Sequence, residues 1–220
     1  MIMSDIYKNI KKIKQEIENI SKNNSKLCCV TKYSDFNQIK EALSSNYIKI
    51  IGESKVQEAK EKFTLLQMDF LTYKISKHMI GHLQSNKIRI AVQLFDCIES
   101  VDSIKLANLI NQECKKINKV MEIYMQINIS EETQKHGFNI KKVKSAYNAL
   151  MKLKNLNLIG IMGIAPKVDN PEKSRPYFKK LKRIADKLNL KEISMGMSND
   201  YKIALEEGAT LIRIGSAIFN

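Results

Sequence analysis

The feature that most constrains this chain is a regular alternation of short apolar runs with amphipathic stretches. Eight runs read as strands: 26–32 (KLCCVTK), 48–53 (IKIIGE), 78–82 (HMIGH), 95–100 (FDCIES), 120–129 (VMEIYMQINI), 158–164 (LIGIMGI), 192–197 (EISMGM) and 211–216 (LIRIGS). Most are almost continuously apolar, as strands of a parallel sheet covered on both faces must be. Helical periodicity fills the gaps, over 35–45, 54–66, 85–94, 103–116, 140–153, 174–188 and 200–207. One more helix is expected over 4–22, where Ile6, Ile10, Ile13, Ile17 and Ile20 recur at intervals of three and four. Ser34, Asp102 and Ser198 are the expected helix caps.

Strand–helix alternation means a parallel sheet with right-handed crossovers. Eight units in 220 residues fit a small α/β structure, the (β/α)8 or TIM barrel. Only Ala217–Asn220 follow the last run, so no helix is expected there, and the 4–22 helix is expected to complete the outer ring. The rival is an open doubly wound sheet. Such sheets usually carry a glycine-rich loop after the first strand, whereas this one ends in Thr31-Lys32-Tyr33-Ser34.

The formal net charge is +14, which raises the question of an anionic partner. Only four of the 37 basic residues are arginines, aromatics make up 7%, and there is no Trp. Base readers lean on arginine and on aromatic stacking, so no specific nucleic-acid partner is expected. The lysines are spread along the chain and read as solvated helix faces. No run approaches the roughly 20 apolar residues of a membrane span, and the start, Met1-Ile2-Met3-Ser4-Asp5, lacks the apolar core of a signal peptide. Cys28, Cys29, Cys97 and Cys114 have neither CxxC nor metal spacing and read as buried, reduced thiols of a cytoplasmic protein. No metal site is read.

In a barrel of this kind the chemistry sits at the C-terminal ends of the strands. The first run ends in Lys32, which follows Leu27–Val30. A lysine held there is expected to be partly desolvated, with a lowered pKa and an amine available for a Schiff base. Tyr33 is expected on the other side by alternation. The seventh and eighth runs end in Gly196-Met197-Ser198 and Arg213-Ile214-Gly215-Ser216, where barrels commonly bind phosphate. Gly196 and Gly215 let the backbone come close, and Ser198 and Ser216 add hydroxyls. Arg213 shares a face with Gly215 and needs a partner, which either a ring nitrogen or a structural carboxylate provides. His82 is either an acid–base group or a histidine satisfied by a helix N-terminus. Phe138 and Met162 read as core or mouth lining.

Seven segments stand in order: CVTK at 29–32, GESKVQEA at 52–59, HMIGHLQSNK at 78–87, QINISEETQKHGF at 126–138, GIMGIAP at 160–166, SMGMSND at 194–200 and IRIGSAIF at 212–219. Together they resemble the pyridoxal-phosphate homeostasis proteins, whose barrel is like the alanine racemase N-terminal domain (PLP fold type III). The resemblance implies one PLP-binding barrel domain over residues 1–220. It implies that Lys32 holds pyridoxal 5'-phosphate (PLP) as a Schiff base, that Ser198, Gly215 and Ser216 bind its phosphate, and that Arg213 faces its ring nitrogen. Ser54 and Met162 complete the expected contacts. Ser54 stands where the family usually has Asn, and Lys77 where an aromatic residue commonly precedes the histidine.

The implied role is PLP carriage and buffering in the cytoplasm, acting on amino-acid and keto-acid balance without a robust reaction of its own. Apo-PLP enzymes are its implied partners, and a monomer is expected. Alternatives are a PLP-dependent amino-acid racemase, a Schiff-base barrel enzyme without PLP, and a nucleic-acid binder. Lys135 and Lys87 are loop lysines considered for a second aldehyde site, with a plain surface role as the simpler reading.

Overall fold

In the computed structural model, which describes residues 4–21 and 24–220, eight parallel strands close into a barrel in sequence order. They are β1 (Lys26–Val30), β2 (Ile50–Glu53), β3 (Ser76–Met79), β4 (Cys97–Val101), β5 (Met121–Ile127), β6 (Leu156–Gly163), β7 (Glu192–Ser194) and β8 (Leu211–Ile214). β1 pairs with β8 in register Lys26↔Leu211 through Cys29↔Ile214, so no sheet edge remains open. Each expected run holds a strand. Most strands stop earlier than the apolar pattern does, because the last residues of several runs leave the ladder and form the mouth. β3 also begins earlier, at Ser76, which sets His78 inside the ladder opposite Cys97.

The helices are α1 (Asp5–Ile20), α2 (Phe36–Ser44), α3 (Val56–Leu65), α4 (Gln67–Tyr73), α5 (Ile88–Leu94), α6 (Ile104–Lys116), α7 (Val143–Leu150), α8 (Arg175–Leu188), α9 (Tyr201–Glu206) and α10 (Ser216–Phe219). The stretch expected as one helix over 54–66 is followed by a second, α4, which ends at Lys74 in the left-handed conformation. α10 is a single turn where no helix was expected. Caps are shifted from the expected residues. Asp35, not Ser34, caps α2, with a capping box to Gln38. Ser103, not Asp102, caps α6 by accepting from Leu106 N–H. Ser198 does not cap α9, since a turn intervenes before Tyr201.

α1 completes the outer ring beside α2, α9 and α10. Ile10, Ile13 and Ile17 are buried along its inner face. Its polar contacts point the same way: Asn9 Nδ2 donates to Ile218 O at 3.1 Å, Lys202 Nζ meets Glu16 Oε1 at 2.9 Å, and Tyr201 Oη donates to Glu16. Lys22, the last position of the expected helix, lies outside the described residues.

Two apolar layers result. The larger lies between sheet and helices and includes a Phe63–Phe70–Phe95 aromatic cluster. The smaller fills the barrel, with Cys28, Cys97, Tyr124, Met162 and Leu211. All four cysteines are buried and free. Burial pushes their thiols up, so they stay protonated and unreactive. No described helix is long and apolar enough to cross a membrane.

If α1 is an integral part of the ring, Ile17→Ala will lower unfolding stability by about 2–5 kcal/mol in urea titration. Lys11→Ala, on the exposed face of the same helix, will change it by less than about 0.5 kcal/mol.

Candidate functional site at the barrel mouth

The C-terminal ends of the strands surround a cavity of about 1190 Å3. Lys32, Ser54, Ser198, Arg213, Gly215 and Ser216 all line it. Met162 does not. It is fully buried in the barrel filling beneath, and Ile164, just past the end of β6, lines the cavity instead.

The loop carrying Lys32 is pinned from behind. Thr31 Oγ1 donates to Glu53 Oε1 at 2.6 Å, and Lys62 Nζ reaches both Thr31 O at 2.5 Å and Glu53 Oε1 at 3.0 Å. Glu53 is wholly buried, so its charge requires this partner from α3. Lys32 itself is exposed in a turn, with Nζ 5.0 Å from the Tyr33 ring centroid. The burial expected of it is therefore absent. Tyr33 also lines the cavity, contrary to the alternation argument, because β1 ends at Val30 and alternation ends with it.

Opposite, the loops after β7 and β8 are joined. Ser198 Oγ accepts from Ala217 N–H at 3.3 Å, and Gly215 leads into α10. A Cβ on Gly215 would lie 2.9 Å from Val30 O, so the glycine lets this loop press on β1. Gly196 serves packing rather than ligand approach. Its φ is +89°, and a Cβ there would meet Ala204 Cβ at 2.5 Å. Asp200 holds the intervening turn by accepting from Met197 N–H at 2.7 Å.

Below the cavity runs a buried polar chain. His78 Nδ1 lies 2.7 Å from Glu99 Oε1, and Ser194 Oγ donates to Glu99 Oε2 at 2.5 Å. Arg213 Nη1 donates to Ser194 Oγ, Nη2 donates to Gly163 O at 3.2 Å, and Nη1 lies 3.7 Å from Glu99 Oε2. Burial pushes the Glu99 carboxyl up, but the His78 hydrogen bond, the His78 and Arg213 charges and Ser194 together hold it below the usual carboxylate range. Of the two partners open to Arg213 from sequence, the structural carboxylate is present, and the guanidinium still borders the cavity. Sequence reasoning missed Glu99 and His78. The signal was there: a glutamate directly after Cys97-Ile98 inside a run read as a buried strand, FDCIES.

Other expected residues fall at the rim or away from the cavity. Lys135 lines the cavity and pairs with Glu132 at 2.5 Å. Lys87 is half-buried in the turn before α5 and is not part of the lining. His82 faces Asp102, just ahead of the α6 cap. Phe138 is buried in the outer core, and Lys77 turns away to Asp96 at 3.7 Å.

An amine, a guanidinium and a pair of serine hydroxyls around one cavity suit a small phosphorylated aldehyde. The family profile described as alanine racemase, N-terminal domain, matches residues 3–220, so fold and mouth define a barrel of that class. The pyridoxal phosphate homeostasis protein of Aquifex aeolicus is 36% identical over 178 residues, covering 78% of this chain and 76% of that one. That of Buchnera aphidicola subsp. Schizaphis graminum is 35% identical over 231 residues, covering 99% and 98%. The structure of PipY from Synechococcus elongatus with PLP bound superposes with a TM-score of 0.86 at 28% identity, covering 98% of this chain and all of that one. The chain belongs to the pyridoxal phosphate homeostasis protein family.

The Glu99 chain makes a signed prediction. Because the folded carboxyl titrates below its unfolded value of about 4.3, its contribution is complete above that value and is lost as pH falls through the folded one. Glu99→Gln will therefore flatten the acid limb of a stability–pH profile. It will also lower neutral stability by about 3–5 kcal/mol, since Arg213 loses its counter-charge.

Proposed function

We propose that this chain is a carrier and buffer of PLP in intracellular PLP homeostasis, holding it at the barrel mouth with Lys32 as the attached amine. The observation that carries this reading is the convergence of Lys32, Arg213, Ser198 and Ser216 on one cavity. When bound, PLP supplies an aldehyde, a phosphate and an aromatic ring nitrogen.

Each group has a fitting neighbour. The Ser198 and Ser216 hydroxyls and the Ser216 amide that opens α10 suit the phosphate. Arg213, fixed by Ser194, Gly163 and Glu99, presents N–H to an acceptor and has no proton to give up at neutral pH. Arg213 would thus hold a ring nitrogen as an acceptor rather than protonate it, which would weaken the electron sink that PLP enzymes exploit. This supports carriage rather than turnover, and with it an effect on amino-acid and keto-acid balance through PLP supply. Apo-PLP enzymes are the recipients in this reading, the chain works as a monomer, and four buried thiols suit the cytoplasm.

A racemase reading has one observation in its favour: the Tyr33 phenol lies beside Lys32. Tyr33 is 90% exposed, however, and a catalytic acid needs a held orientation.

Purified protein will be yellow, with the visible band of a lysine Schiff base, and Lys32→Ala will remove the band. Wild-type protein that is colourless and takes up no added PLP sinks the proposal. Yellow protein that racemises L-alanine favours the second reading. Ser216→Asp, which sets a carboxylate against the phosphate, will weaken PLP binding by about tenfold or more, roughly 1.4 kcal/mol, as read by equilibrium dialysis.

A further inference from the structure

Asp200 closes the turn that carries Ser198, and it does so from a buried position. Its Oδ1 accepts from Met197 N–H at 2.7 Å, and its own N–H donates to Met197 O at 3.0 Å. The turn is therefore fastened at both ends, with Ser198 held between them. Asp200 Oδ2 accepts from Ser174 Oγ at 3.2 Å. Each carboxylate oxygen thus has a donor from the protein, and no lysine or arginine pairs with this carboxylate among the described residues.

Ser174 is itself fixed. It has no exposed surface, and it ends the short 3-10 helix Pro171–Ser174 that brings the loop after β6 into α8. The next residue, Arg175, donates to Glu172, Glu206 and Glu207 at 2.6–2.7 Å. Arg175 ties the 3-10 helix to the far end of α9, and Ser174 ties it to the turn just ahead of α9. The turn that holds Ser198 is therefore braced by a different βα loop, one whose Pro166, Lys167 and Val168 line the cavity.

The charge of Asp200 does not explain its place. It borders the cavity, where a carboxylate repels a phosphate, and a buried carboxylate without a cationic partner is costly. Its shape does explain it: two acceptor oxygens on one short side chain meet donors from two loops. The residue so held is well prepared for an anion. Ser198 Oγ accepts from Ala217 N–H at 3.3 Å and keeps its own O–H to donate into the cavity.

We propose that Asp200, braced by Ser174, is a positioning residue that gives the mouth its preference for a phosphorylated ligand, by holding Ser198 toward the cavity. The inference rests on the reading of Ser198 as a phosphate donor. It adds to that reading a pair of residues that act through Ser198 and links the phosphate side of the mouth to the loop after β6.

The test compares PLP with pyridoxal, which has the same ring and aldehyde without the phosphate. Each is titrated into the full-length chain and followed by equilibrium dialysis. The native chain will prefer PLP. Asp200→Ala will lower PLP affinity about tenfold and leave pyridoxal affinity unchanged. Ser174→Ala, which removes only the brace, will lower the preference about threefold. Asp200→Asn will keep the preference, because its Oδ1 still accepts from Met197 N–H and its amide donates to Ser174 Oγ. Pyridoxal binding by each variant shows that the rest of the mouth is folded. A preference that survives Asp200→Ala overturns the proposal, as does one lost in Asp200→Asn. Should Asp200→Ala fail to fold, an unchanged preference in Ser174→Ala overturns it. A native chain that takes up neither ligand sinks the PLP reading and this role with it, whereas one that takes up both equally overturns the role of Asp200 alone.

Discussion

A glutamate with no exposed surface sits at the centre of the barrel, and the floor of the mouth is arranged around keeping it paired. Glu99 could not remain charged in that environment alone, because desolvation of a carboxylate costs several kcal/mol. It takes His78 on one oxygen and Ser194, with Arg213 behind it, on the other. These partners come from β3, β7 and β8, so the chain of contacts crosses the barrel rather than following one strand. Arg213 is thereby fixed from below while it borders the cavity above. Its orientation depends on a residue that does not line the cavity at all.

A second buried carboxylate does the corresponding work outside the sheet. Glu53 faces α3, where Lys62 joins it to the carbonyl of Thr31, one residue before Lys32. The lysine is exposed at its tip but anchored at its base. The two buried ion pairs thus set the two sides of the mouth: one holds the guanidinium, the other the backbone from which the amine projects.

Much of this architecture was legible in the sequence because burial on both faces leaves a strong trace. Runs such as KLCCV and LIGIMG are short and almost continuously apolar, as parallel strands covered on both faces are, and the isoleucine spacing of α1 announces a helix with a single buried face. The strand ends were harder. Alternation placed Tyr33 away from the cavity, but that rule holds only while the ladder lasts, and β1 stops at Val30. Met162 was expected at the mouth, but it lies in the barrel filling and Ile164 lines the cavity, because the height of the filling is set by packing and not by local pattern. Cap residues slipped by one position where two capping side chains stand side by side, as at Ser34-Asp35 and Asp102-Ser103. The contact of His82 with Asp102 had no sequence signal, since no spacing rule joins separate βα loops.

Barrel closure also bears on how such a chain reaches its fold. Ser25 Oγ donates to Ala209 O across 184 positions, and β1 finds its second neighbour only in β8. Contacts this distant in sequence close large loops and form slowly. During synthesis β1 emerges first and then waits for the last strand, exposing an unpaired edge and the apolar face of α1 in the interval. The seam between β1 and β8 carries Lys32 on one side and Gly215-Ser216 on the other. The wall of the mouth is therefore continuous only once the first strand has paired with the last.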